Sequence, residues 1–70
     1  MKLSEFKVGD VITRRDFEDD LVATPTTLKR LKACYNSQLQ VPSWRSNDIM
    51  KVTRDGEVIF ERIPEEMEKS

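Results

Sequence analysis

The stretch from Asn47 to Ile63 constrains the fold most. Asp48-Ile-Met-Lys-Val-Thr53 and Glu57-Val-Ile-Phe-Glu-Arg-Ile63 flank Arg54-Asp55-Gly56. Short runs rich in β-branched and aromatic residues on either side of Asp-Gly mark a β-hairpin. Two registers compete. A two-residue Asp55-Gly56 turn sets Val52 opposite Ile59 and Met50 opposite Glu61. A three-residue loop, with Gly56 left-handed in a bulge, sets Thr53 opposite Glu57. Val52 then faces Val58, Met50 faces Phe60, and Asp48 faces Arg62. The bulged register gives one wholly apolar face with an ion pair at its open end, so it is the expected one. The other face carries Ile49, Lys51, Thr53, Glu57, Ile59 and Glu61. Pro64 lacks an amide donor and is expected to end the second strand.

Seventy residues make one domain, here expected over 1–64 with an acidic tail over 65–70. So short a chain buries only about 60% of the surface it exposes when unfolded. Disulfides cannot add stability, because Cys34 is the only cysteine. Without histidine, one cysteine makes no zinc site, so neither metal nor cofactor is expected. Self-association is the remaining aid. Ile49 and Ile59 would form an exposed apolar patch on the second hairpin face, and such patches are usually covered. A homo-oligomer is therefore expected. The lone cysteine and the lack of a signal-peptide pattern point to a reducing, cytoplasmic compartment. No apolar run approaches the roughly 20 residues that span a membrane.

Further along the chain, Met1 to Lys7 reads as a lead-in with one helical turn capped by Ser4. Asp10 to Arg15 reads as a first strand, with Val11 and Thr13 on one face and Ile12 and Arg14 on the other. Leu21 to Thr24 is a short second strand, antiparallel to it. Thr24-Pro25 is an N-cap followed by proline in the first turn, and Leu28, Leu31 and Tyr35 share one helical face. These predict a helix from Thr26 to Asn36, with a third strand at Thr26 to Leu31 as the alternative. The fold class is α+β: a small curved antiparallel sheet of about four strands, with an SH3-like barrel as its closed variant, one short helix and a C-terminal hairpin. The expected core is Phe6, Val11, Leu21, Leu28, Leu31, Tyr35, Met50, Val52, Val58 and Phe60.

Signs of catalysis are missing from the sequence. There is no histidine to serve as base. The acidic run Asp16 to Asp20 lacks the alternating ligands and glycine of a calcium loop, and two glycines build no phosphate loop. Cys34, without a base, reads as a small buried residue on the helix. The expectation is a protein that is not an enzyme and acts by binding. Trp44 and Arg45, in a loop restrained by Pro42, belong to the residue types most enriched at binding hot spots; the competing role for Trp44 is a cap on the core. Arg14 and Arg15 lie on opposite strand faces, so at least one is expected to be exposed. Lys29 and Arg30, with Lys32, form a basic group on the helix. Binding candidates are thus Trp44, Arg45, Arg14, Arg15, Lys29 and Arg30. The net charge of −1 argues against general nucleic-acid binding, which needs a clustered basic surface.

Three patterns bear a family resemblance: Tyr35-Asn36-x-x-Leu39, then Asp48-Ile49-x-Lys51-Val52-x-Arg54, then Ile59-x-Glu61-Arg62. With the opening Met1-Lys2-Leu3 and Val8-Gly9-Asp10-Val11-Ile12, the chain resembles small proteins of phages and prophages of Gram-positive bacteria. The resemblance implies an early hairpin and a final hairpin in a strongly curved sheet. It also implies a context, the host cytoplasm, and a role as an accessory protein. Such a protein would inhibit a host protein, for counter-defence or takeover. The alternatives are an oligomeric sponge for a nucleotide messenger and a small nucleic-acid-binding regulator. The resemblance transfers no site residue.

Overall fold

A computed structural model describes residues 1–62; the expected division at 64/65, the acidic tail and the role of Pro64 lie outside them. The chain forms β1 (Val11–Arg14), β2 (Leu21–Val22), helix α1 (Pro25–Cys34), β3 (Ile49–Arg54) and β4 (Glu57–Glu61), with 3-10 turns at Leu3–Glu5 and Arg45–Asn47. The strands make one antiparallel sheet in the order β2-β1-β3-β4. The α+β class and the C-terminal hairpin are as expected, but the sheet stays open and no SH3-like barrel forms. No described helix is long and apolar enough to cross a membrane.

The β3–β4 hairpin turns on two residues. Asp55 and Gly56 have φ of 52° and 81°, the paired left-handed geometry of a I′ turn, which matches the twist of the flanking strands. Arg54 pairs with Glu57 and Thr53 with Val58; the register then shifts, so that Val52 pairs with Phe60 and Lys51 with Glu61. Ile59 is the extra residue. The three-residue loop, with its Val52–Val58, Met50–Phe60 and Asp48–Arg62 pairs, is therefore corrected. A bulge exists, but it lies in β4 beyond the turn.

A second register shift decides the core. β1 pairs Val11 with Thr53, Ile12 with Val52 and Thr13 with Lys51, then Arg14 with Ile49. Met50 is left over as a bulge. A bulge breaks strand alternation, so Ile49 and Val52, three apart, both turn inward and are fully buried. Ile49 is thus no surface residue, and the expected Ile49–Ile59 patch does not form. The core is Phe6, Ile12, Ala23, Leu31, Leu39, Ile49 and Val52, with Leu3, Leu21, Leu28, Tyr35 and Phe60 packed against it. Ile12, rather than the half-buried Val11, faces inward. Val58, an expected core residue, is 49% exposed.

Helix α1 starts as its cap dictates. The Thr27 amide donates to Thr24 Oγ1 at 3.1 Å, and Pro25 takes the first turn, where its missing donor costs nothing. The strand alternative is ruled out. Leu31 is the buried residue of the helix, and Cys34, expected inside, is exposed. After Tyr35 the chain folds back through a tight loop. Asn36 Oδ1 accepts from the amides of Gln38 and Gln40, and the Asn36 amide donates to Gln40 O at 3.0 Å. Leu39 sits at φ 60°, a conformation that costs a non-glycine residue about 1–3 kcal/mol. Burial of its side chain in the core offsets that strain. The Tyr35-Asn36-x-x-Leu39 pattern therefore has a structural meaning.

Two buried aspartates tie the central strands together at both ends. Asp10, just before β1, accepts from Arg54 Nε and Nη2, both at 2.8 Å, and from the Lys7 amide at 2.9 Å. Arg54 Nη2 also donates to Glu5 O. At the other end Asp48, just before β3, takes Arg15, and the Arg15 amide donates to Asp48 O at 2.9 Å. Arg62 goes instead to Gln38 O through its guanidinium and to Met50 O through its amide.

Ile49→Ala is expected to cost about 2–5 kcal/mol, whereas Val58→Ala should stay within about 0.5 kcal/mol. Urea unfolding of the two variants checks this, and equal losses would contradict the bulged placement of Ile49. The Arg54 hydrogen bonds hold the Asp10 carboxyl below the usual range, with the Lys7 amide assisting and burial opposing. A depressed folded-state pKa stabilises above the unfolded value of about 3.9, and the benefit is lost as pH falls through the folded one. Arg54→Gln should therefore be less stable at pH 7 and lose less on acidification, as read from urea midpoints across that pH range.

Candidate functional site

Residues 41–48 form a loop of stacked turns. The Trp44 amide donates to Val41 O at 2.9 Å, the Asn47 amide to Trp44 O at 3.1 Å, and the Asp48 amide to Arg45 O at 3.0 Å. These bonds inside the loop, and those that its Ser46, Asn47 and Asp48 carbonyls accept from Asp16, Tyr35 and Arg15, brace it while its indole stands outward. Trp44 is 59% exposed, so it does not cap the core.

Trp44 stands at one wall of a groove of about 370 Å³ between this loop and α1. Leu21, Leu31, Tyr35 and Val41 supply apolar surface, and Arg14 and Arg30 supply positive charge. Cys34 lies on the same groove, with an exposed thiol. Tyr35 is half-buried and its hydroxyl donates to Asn47 O at 2.8 Å, which ties α1 to the loop. Burial pushes the Tyr35 pKa up, so the hydroxyl remains a donor at neutral pH. The Arg14 guanidinium lies 3.8 Å from the Phe17 ring centroid, a cation–π contact.

The candidate residues divide into three sets. Trp44, Arg14 and Arg30 are brought together on this groove. Arg15 and Arg45 instead converge on Asp48, Arg15 through Nη2 at 3.1 Å and Arg45 through Nε at 3.8 Å. Gln40 Nε2 donates to the same carboxylate oxygen at 3.2 Å. Lys29 is exposed on α1 and does not line the groove. Neither Arg14 nor Arg15 is fully exposed, which corrects that expectation: one is stacked on Phe17 and the other ion-paired.

Tyr35, Val41 and Asp48 were missed as parts of the site. A signal for Asp48 existed, since both central strands follow an aspartate, in Gly9-Asp10-Val11 and Asn47-Asp48-Ile49. Among the described residues, no three His, Cys, Asp or Glu side chains gather as a metal site. The chain matches no family model, no curated protein and no solved structure.

Trp44→Ala should change stability by no more than about 0.5 kcal/mol, as for other surface substitutions. A melting curve checks this, and a loss of several kcal/mol would return Trp44 to the core.

Proposed function

We propose that this protein works by binding a partner protein through the groove between α1 and the Trp44 loop. One observation carries the reading: an exposed tryptophan on a preformed loop stands over an apolar groove edged by Arg14 and Arg30. Tryptophan supplies large contact area at low entropic cost, and rigid presentation lowers the cost of binding further. The two arginines select for negative charge beside the apolar anchor. The partner segment is therefore one with a large apolar side chain next to Asp or Glu.

The biological setting rests on the phage-protein resemblance: a phage accessory protein in the host cytoplasm, inhibiting a host protein for counter-defence or takeover. Self-association belongs to the same reading. It is supported by β4, an edge strand with Val58 and Ile59 exposed, since unpaired edges invite pairing with another chain. A monomeric mass at tens of micromolar would remove that part alone.

Selection from a random peptide library tests the binding claim. Recovered peptides should combine an aromatic or large aliphatic residue with a neighbouring carboxylate, and should protect Cys34 from thiol reagents. Trp44→Ala should weaken them by about 2 kcal/mol or more. Peptides indifferent to Trp44→Ala, or leaving Cys34 fully reactive, would contradict the reading.

A further inference from the structure

A second groove runs from the end of β1 across β3 to the end of β4, with a volume of about 580 Å³. Four cationic side chains line it, Arg14, Arg15, Lys51 and Arg62, against two carboxylates, Asp16 and Glu61. The chain as a whole carries −1, so this is a local concentration of positive charge. The register assembles it. Thr13 pairs with Lys51 and Lys51 with Glu61, and the Arg62 amide donates to Met50 O, which brings Arg62 alongside.

The three guanidiniums are already held: Arg14 on Phe17, Arg15 on Asp48, and Arg62 on Gln38 O. Yet Arg14 Nε and Arg62 Nη1 are buried with no hydrogen-bond acceptor among the described residues. Buried donors normally find an acceptor. Two such shortfalls in residues lining one groove point to an anion that would supply oxygens there.

We propose that this groove binds a small phosphate-bearing molecule of the di- or triphosphate class. Guanidinium forks match phosphate oxygens in pairs, and Lys51 adds a point charge. The volume falls in the ordinary range of small-ligand pockets, about 300–1,000 Å³. A nucleic-acid strand fits poorly. Thr13 Oγ1 donates to Asp20 Oδ1 at 3.0 Å, which places an acidic side chain at the groove margin beside Asp16. Glu18 and Asp19, exposed, continue that acidic run. A long polyanion leaving the groove on this side would meet them, whereas a short one would not.

Titration of inorganic pyrophosphate and of ATP, without added metal, into ¹⁵N-labelled protein tests the proposal. Amide shifts should cluster at Arg14, Arg15, Lys51 and Arg62. Lys51→Gln should weaken binding about tenfold, as loss of a partly desolvated charge contact does, and Lys29→Gln should leave it unchanged. Glu61→Gln should tighten binding, a gain that misfolding cannot produce. Tighter ATP than pyrophosphate would assign the nucleoside a share of the contact; equal affinities would assign the phosphates alone. Shifts spread over Lys29 to Lys32, indifference to both Lys51→Gln and Glu61→Gln, or tighter binding of an oligonucleotide than of either probe would overturn the proposal.

Discussion

Asp48 is the interaction on which the rest of the structure turns. Its carboxylate is fully buried, and a buried charge is tolerated only when paired and hydrogen-bonded. One oxygen, Oδ2, takes these contacts: Arg15 Nε at 3.2 Å and Nη2 at 3.1 Å, Gln40 Nε2 at 3.2 Å, and Arg45 Nε at 3.8 Å. Those partners come from the end of β1, the loop after α1 and the Trp44 loop. Around them the Asp16 amide donates to Ser46 O at 3.2 Å, and Ser46 Oγ donates to Asp16 Oδ2 at 3.0 Å. One carboxylate therefore sets where the sheet ends and where the candidate binding loop begins.

Asp10 repeats the arrangement at the far end of the same strand pair. Each central strand is preceded by a buried aspartate, and each aspartate is met by an arginine at the end of the other strand. This closure fixes the β1–β3 register despite its bulge at Met50. Removing one member of either pair would leave a buried charge uncompensated, which is more damaging than never having had the pair. The bulge then turns both Ile49 and Val52 inward, and a narrow core is filled by small steps in register.

What was legible in the sequence was local. Asp55-Gly56 announced a hairpin, Thr24-Pro25 announced a helix start, and Leu21-Val22 announced a short strand. Each signal lies within a few residues of its effect. Register was not legible, because it is decided by contacts far apart in the chain. Arg15 reaches Asp48 across 33 residues and Arg54 reaches Asp10 across 44. A pattern that separates apolar from polar faces assumes unbroken alternation, and two bulges break it here. That is why Ile49 exchanged places with Val58. In the site, Trp44 was legible from its residue type and its restrained loop. Arg14 and Arg30 were legible as cations but not as neighbours, since the packing of α1 over the sheet brings them together. Two short sequence patterns, Tyr35-Asn36-x-x-Leu39 and Asp48-Ile49, describe the way the Trp44 loop is anchored.

Native-state hydrogen exchange on Asp48→Asn tests the anchoring role of Asp48 most directly. The variant keeps the side chain's shape and removes its charge. If the carboxylate holds the loop to β1, the Arg15 and Asp16 amides, which donate to Asp48 O and Ser46 O, should lose protection. The Gly9 and Ala23 amides, which donate to Ala23 O and Asp10 O at the opposite end, should keep theirs. Unchanged protection at Arg15 and Asp16, or equal loosening at both ends, would contradict it.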